Sequence, residues 1–189
     1  MARWQPGARE RLQTAALERF AQQGYEGTTV AEIAATAGLT ERTFFRHFAD
    51  KREVLFSGQE EFARVFVAAV DEAEGDDAMS IIATALATAT SSLFPGERRS
   101  WSRARQAVID ADPSLQEREL LKLSALAVAM TSALRRRGIS ATAATLAAES
   151  GVAVFRVAFT GWIAAGEERS FGELLRAVFA ELRSLVDTV

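Results

Sequence analysis

A chain of 189 residues, 49% apolar and 25% charged, is long enough to bury one good core or a small domain joined to a larger one. Its formal net charge of −3 argues against coating long nucleic acid without preference. Zero cysteines exclude disulfides, thiolate catalysis and thiolate metal sites, and a single histidine argues against a metal centre, so neither metal nor cofactor is expected.

The charge is unevenly spread. Through Leu55 there are eight Arg/Lys against seven acids, while the remainder carries 14 against 18, so the head is the better place for a phosphate contact. The opening MARWQPGARERLQ has no apolar core of signal-peptide length, and the longest apolar run, GVAVFRVAFTGWIAAG, is interrupted by Arg156. The expected compartment is the cytoplasm, with no membrane partner.

Three prolines and long Ala/Leu/Arg/Glu-rich stretches predict an all-α chain of about nine helices. The first runs from about Ala8 to Gln23 on Leu12, Ala16 and Phe20, with Gly24 ending it. Thr29 with Glu32 reads as a capping box opening a short second helix on Val30, Ile33, Ala34 and Ala37. Gly38 supplies the turn and Thr40 caps a third helix. Asp50 with Glu53 caps a fourth, which the apolar spacing of Leu55, Phe62, Phe66, Ala69 and Ala73 carries to about Glu74, out of the head and into a second domain. Five more follow, roughly 77–92, 97–111, 113–137, 141–165 and 171–187. Asp112-Pro113 marks a start, Gly138 a stop, and Ser170 with Glu173 a further capping box.

Two helices joined by a glycine turn, with a third packed behind them, make a helix-turn-helix. On its third helix Phe44 and Phe45 are adjacent, and at about 100° per residue they cannot both face one core. Leu39, Phe44 and His47 or Phe48 fall toward one side, and Glu41, Arg42, Phe45 and Arg46 toward the other. Phe44 is therefore expected in the core and Phe45 on the surface.

The order of pieces from Ala15 to Phe56 resembles the TetR family of one-component regulators. The matching residues are Phe20, Gly24, Tyr25, Thr28, Thr29, Ile33, Ala34, Ala37, Gly38, His47, Phe48 and Lys51. The resemblance covers the first quarter of the chain and implies a DNA-binding head, residues 1–52, followed by a helical effector-binding and dimerisation domain, residues 53–189. Members commonly carry tyrosine where this chain has Phe45, and that hydroxyl usually donates to a phosphate. Phenylalanine keeps the ring and loses the donor, so the contact must come from elsewhere, such as Thr29, Arg42 or the amide end of the helix opening at Lys51. Phe45 could instead lie against sugar or a thymine methyl.

The candidate DNA-binding set is Thr29, Thr40, Arg42, Thr43, Phe45, Arg46, His47 and Lys51. Arg42 and Arg46 are either solvated helix charges or DNA contacts, Arg46 being suited to guanine by its bidentate fork. Lys51 opposes the dipole of the helix it opens, a placement that makes sense facing a phosphate. His47 lacks an evident acidic or nucleophilic partner, so packing or a backbone contact is expected of it rather than catalysis.

The eighth helix carries two apolar faces. Ala143, Ala147, Ser150, Val154, Val157 and Gly161 form a small-residue seam, and Ala148, Val152, Phe155, Phe159 and Trp162 an aromatic stripe. With the last helix, these faces either bury within one chain or pair across a two-fold axis as a four-helix bundle. The candidate dimer interface is Ala147, Ser150, Val154, Val157, Gly161, Leu175, Phe179 and Leu182. The family resemblance implies this dimer, and an effector pocket enclosed by the inner helices. Phe62, Phe66, Ile82, Leu86, Trp101, Arg105, Ile109, Leu121, Phe155 and Phe159 are the candidates to line it, although aromatic stripes also serve as plain core. The segment ARQAVIDADPSLQER, residues 104–118, is loosely similar to the C-terminal domain of mycofactocin-type regulators.

The expected function is a homodimeric transcriptional repressor that binds a palindromic operator of double-stranded DNA and is released by a small-molecule effector. An enzyme would cluster Asp, Glu, His or Ser in the aromatic cavity, and no such cluster is evident. A partner-binding module would leave the outer face of Glu41 to Arg46 indifferent to DNA.

Overall fold

The computed structural model describes residues 7–187, all of whose regular elements are helical. Arg3, one of the eight basic residues of the head, lies outside them. The helices are α1 (Ala8–Gln23), α2 (Val30–Thr36), α3 (Glu41–His47), α4 (Glu53–Phe56), α5 (Gln59–Glu72), α6 (Ala78–Leu93), α7 (Arg99–Asp110, preceded by a 3-10 turn at Gly96–Arg98), α8 (Pro113–Arg136), α9 (Ala141–Ile163) and α10 (Phe171–Asp187).

The caps follow from local chemistry. In the Thr29 box the Glu32 amide donates to the Thr29 hydroxyl oxygen at 3.2 Å, while the Thr29 amide and hydroxyl both donate to the Glu32 carboxylate at 2.8 Å. Ser170 and Glu173 repeat this arrangement at α10. Asp77 accepts from the Met79 and Ser80 amides at the start of α6, and Asp112 from the Ser114 and Leu115 amides at α8.

One expectation fails. The long fourth helix is broken into α4 and α5 by Ser57, which is extended in ψ at 137°, and Gly58, whose φ of +91° lies where L side chains are strained. A Ser-Gly pair carries that break, which apolar spacing running through it conceals.

The chain divides into two compact units, residues 1–58 with 104–119, and residues 59–103 with 120–189. The packing boundary thus differs from a single cut at residue 52. It falls after α4, and the corner between α7 and α8 joins the head's unit.

In the first unit, Leu12, Ala16 and Phe20 of α1, Ile33 and Ala34 of α2, and Phe44 and Phe48 around α3 are buried. The α7–α8 corner holds α4 through arginines. Arg105 donates from Nε to the Leu55 carbonyl at 2.9 Å, pairs with Glu119 at 2.8 Å, and lies over the Phe56 ring at 5.1 Å. Arg118 reaches Glu53 at 3.4 Å.

The second unit is built on α5, α6, α9, α10 and the later part of α8, whose inner faces form one apolar core. Gly151 of α9 makes its closest approach possible. A β-carbon there would sit 2.6 Å from Ile82 Cγ2 on α6. The last carbonyls of α9, left without helical partners, are held by α7: Arg103 donates to Ile163 and Ala164 at 2.5 and 2.8 Å, and Arg99 to Glu167 and Arg169 in the following turn. α9 is long and apolar enough to span a bilayer by length and composition, but Ala144, Ala148, Val152, Phe155 and Trp162 along it are buried in this core.

Candidate nucleic-acid interface and aromatic core

α2, the turn at Gly38 (φ +65°) and α3 pack against α1. Thr40 caps α3 by accepting from the Thr43 amide at 3.2 Å, and the two hydroxyls lie 3.1 Å apart. This anchors one end of a seven-residue helix whose inner ring, Phe44, is fully buried. Phe45 is 54% exposed, and its ring stands on Phe44 edge to face at 5.4 Å and 81°. Glu41, Arg42 and Arg46 are exposed beside it. Neither arginine has an ion-pair or hydrogen-bond partner among the described residues. An exposed arc of one carboxylate, one apolar ring and two guanidiniums has acceptor, apolar and bidentate donor groups on one short helix, the set that base edges and phosphates recognise.

The remaining head candidates are placed differently. Lys51 donates from Nζ to the carbonyls of Tyr25 at 2.7 Å and Thr28 at 2.9 Å, and lies 4.2 Å above the Tyr25 ring. Two of the three ammonium donors are thus engaged by carbonyls of the α1–α2 turn, which gives Lys51 a partner within the head. Burial pushes the Tyr25 phenol up from its ordinary value. The Thr29 hydroxyl proton is engaged by Glu32, whose carboxyl these hydrogen bonds hold below the usual range. His47 is half-buried, with Nε2 enclosed and without a hydrogen-bond partner among the described residues, so its ring packs in the head rather than standing beside Phe45.

Of the pocket candidates, Phe66, Ile82, Leu86 and Phe155 are buried together in the core of the second unit, with Phe62 and Phe159 packed on it. Phe62, Phe66, Phe155, Phe159, Trp162 and Phe171 form a continuous ring cluster centred on Phe94, which lies 5.2–6.3 Å from five of the others. Sequence reasoning missed Phe94 because it ended the helix at Ser92; the following Pro95 was the available signal. Trp101 is half-buried against Arg98, outside that core. Arg105 and Ile109 belong to the first unit, where Arg105 contacts Leu55, Phe56 and Glu119. Leu121 is 57% exposed. Charge and apolarity by themselves do not distinguish these places.

The interface candidates also divide. Ala147, Val154, Leu175 and Phe179 are buried in the chain's own core, and Leu182 packs on it. Val157 is exposed, while Ser150 and Gly161 are half-buried. The space at Gly161 opens toward Leu174 of the same chain at 3.8 Å, so the tight helix approach is at Gly151. On α9, Leu146 and Val157 remain as large exposed apolar side chains, and on α10 Leu185 and Val186.

A short capped helix set across a glycine turn, presenting unpartnered arginines around an exposed ring, defines a helix-turn-helix head. Residues 12–57 match the family model described as bacterial regulatory proteins, tetR family. Over 63 residues the chain is 46% identical to the HTH-type transcriptional regulator TcmR of Streptomyces glaucescens, a stretch that is 33% of this chain and 28% of TcmR. Among solved structures it is similar to a TetR-family chain from Mesorhizobium loti MAFF303099, with TM-score 0.60, 22% identity and 96% of each chain covered. It is also similar to the transcriptional regulator FadR of Bacillus subtilis in complex with stearoyl-CoA, with TM-score 0.61, 20% identity, and 92% of this chain and 96% of that one covered. Residues 12–57 thus match the tetR family model, and over most of its length the chain shares the all-helical fold of these solved structures.

Proposed function

We propose that this protein is a transcriptional regulator of the TetR type, whose α3 reads an operator in the major groove. The observation that carries this reading is the outward arc of α3, Glu41, Arg42, Phe45 and Arg46, with both arginines unengaged by the protein. Arg42 and Arg46 supply phosphate and guanine contacts, and Thr40 and Thr43 set the helix against the backbone. Lys51 acts one step removed, by holding the α1–α2 turn. Two such heads in a homodimer face half-sites about one DNA turn or a multiple apart, so the operator is palindromic. The exposed apolar side chains Leu146, Val157, Leu185 and Val186 support pairing through α9 and α10, and the expected setting is the cytoplasm.

The second unit is read as the sensor for an apolar effector. The ring cluster around Phe94 supports this, as does the acyl thioester bound by the FadR of similar fold. Effector binding releases the operator, the behaviour of a repressor, and a 100-fold loss of operator affinity requires about 2.7 kcal/mol of coupling.

Selection of duplexes from a random-sequence pool by the purified protein tests the reading. Enrichment of a two-fold symmetric sequence is expected, abolished by a double Arg42→Ala, Arg46→Ala variant that melts normally. Recovery of unenriched DNA would remove the regulator reading.

A further inference from the structure

We infer that Phe45 reads a thymine: its ring takes up the C5-methyl of one thymine in each half-site, so that the protein distinguishes thymine from the same base without its methyl. The inference rests on the reading of α3 as the DNA-reading helix and assigns the chemistry of its central contact.

Three observations carry it. Phe45 shares the inner part of the exposed arc with Arg42, since at about 100° per residue Glu41 lies about 40° to one side of Phe45, with Arg42 and Arg46 about 60° and 100° to the other. When such an arc enters a groove, its edges meet the phosphate and sugar walls and its middle meets the base edges. The ring is also exposed while one edge of it rests on the buried Phe44, so its outer face is free to meet an apolar group. Finally, the ring has neither donor nor acceptor. Set against guanine O6 and N7, adenine N6 or cytosine N4, it would strip water from those groups and return no hydrogen bond. The thymine methyl is the apolar group the major groove offers, and covering it leaves no polar atom unsatisfied. Arg42 and Arg46 beside the ring, unengaged within the protein, supply the attraction that seats it.

The test uses the full chain and a duplex it has itself selected, in which each thymine is replaced in turn by deoxyuridine. Wild type should show one position per half-site where losing the methyl weakens binding about four-fold, the worth of one buried methyl group. Phe45→Ala should bind the thymine duplex more weakly and be indifferent to the replacement at that position. Phe45→Leu, still apolar, should keep part of the discrimination. A C·G pair placed there should weaken wild-type binding, and 5-methylcytosine should restore the methyl's share. A flat deoxyuridine scan on an enriched duplex would overturn the inference while leaving the DNA-reading helix standing, as would an equal penalty in Phe45→Ala. Failure to enrich any sequence would overturn both.

Discussion

The Lys51 ammonium lies 2.7 Å from the Tyr25 carbonyl and 4.2 Å above the Tyr25 ring, fastening the start of the α4 segment to the turn between α1 and α2. With the Thr28 carbonyl as second acceptor, the side chain grips that turn at two points.

Lys51→Met should therefore act on stability before it acts on charge. Removing a charged donor from two partly buried carbonyls should cost about 1–3 kcal/mol, read as a lower midpoint in urea. A lysine that neutralises a phosphate contributes about 0.9 to the slope of log affinity against log salt. That slope should be unchanged in the variant, and a loss of about one per head would reinstate Lys51 as a phosphate contact.

Phe44 and Phe45 should separate stability from recognition. Phe44→Ala empties a fully buried site and should destabilise by about 3–5 kcal/mol. Phe45→Ala should leave the melting midpoint nearly unchanged and weaken DNA binding. Phe45→Tyr, which sets a polar hydroxyl on the ring that covers the thymine methyl, should bind the selected duplex no more tightly than wild type. Melting curves and titrations at one salt concentration decide both.

The two glycines of α9 should respond oppositely to alanine. Gly151→Ala would press a methyl onto Ile82, and the strain of about 1–3 kcal/mol from overpacking should outweigh the gain of up to about 1 kcal/mol in helix propensity. At Gly161 the nearest atom is in ordinary contact at 3.8 Å, so the helix gain should survive and raise stability. In contrast, Val157→Arg places a charge on the exposed face of the proposed α9–α10 pairing and should yield monomer in sedimentation. An intact micromolar dimer would remove this interface.

Acid should destabilise the protein through its caps. Hydrogen bonds from Thr29 to Glu32, Ser80 to Asp77, Ser114 to Asp112 and Ser170 to Glu173 hold these carboxyls below their ordinary values, and Arg169 lowers Glu167 to about 2. A carboxylate whose folded value is depressed contributes fully above its unfolded value and loses that contribution as pH falls through the folded one. For Glu167 the window runs from 4.5 down to about 2. Thermal midpoints should stay level near neutrality and fall below about pH 4.5, less steeply in Glu32→Gln with Glu173→Gln. A midpoint that rises on acidification would contradict the cap assignments.

The sequence by itself determined what depends on near neighbours. Helix starts at Thr29, Thr40, Asp77 and Ser170 were legible because a cap uses groups two or three residues apart. The sorting of Phe44 inward and Phe45 outward follows from the helical angle and the apolar residues that share the side of Phe44. What the tertiary structure decided is which long side chain meets which distant carbonyl, and which apolar face is covered. Lys51 turns to Tyr25 and Thr28, Arg105 to Leu55, and Arg103 to the end of α9, because each guanidinium or ammonium reaches across several ångströms to backbone groups many residues away. Likewise Ala147 and Val154 are buried while Val157, on the same helix, is exposed. Periodicity marks a face as apolar, but only the elements packed against it determine whether it is buried within one chain or left exposed.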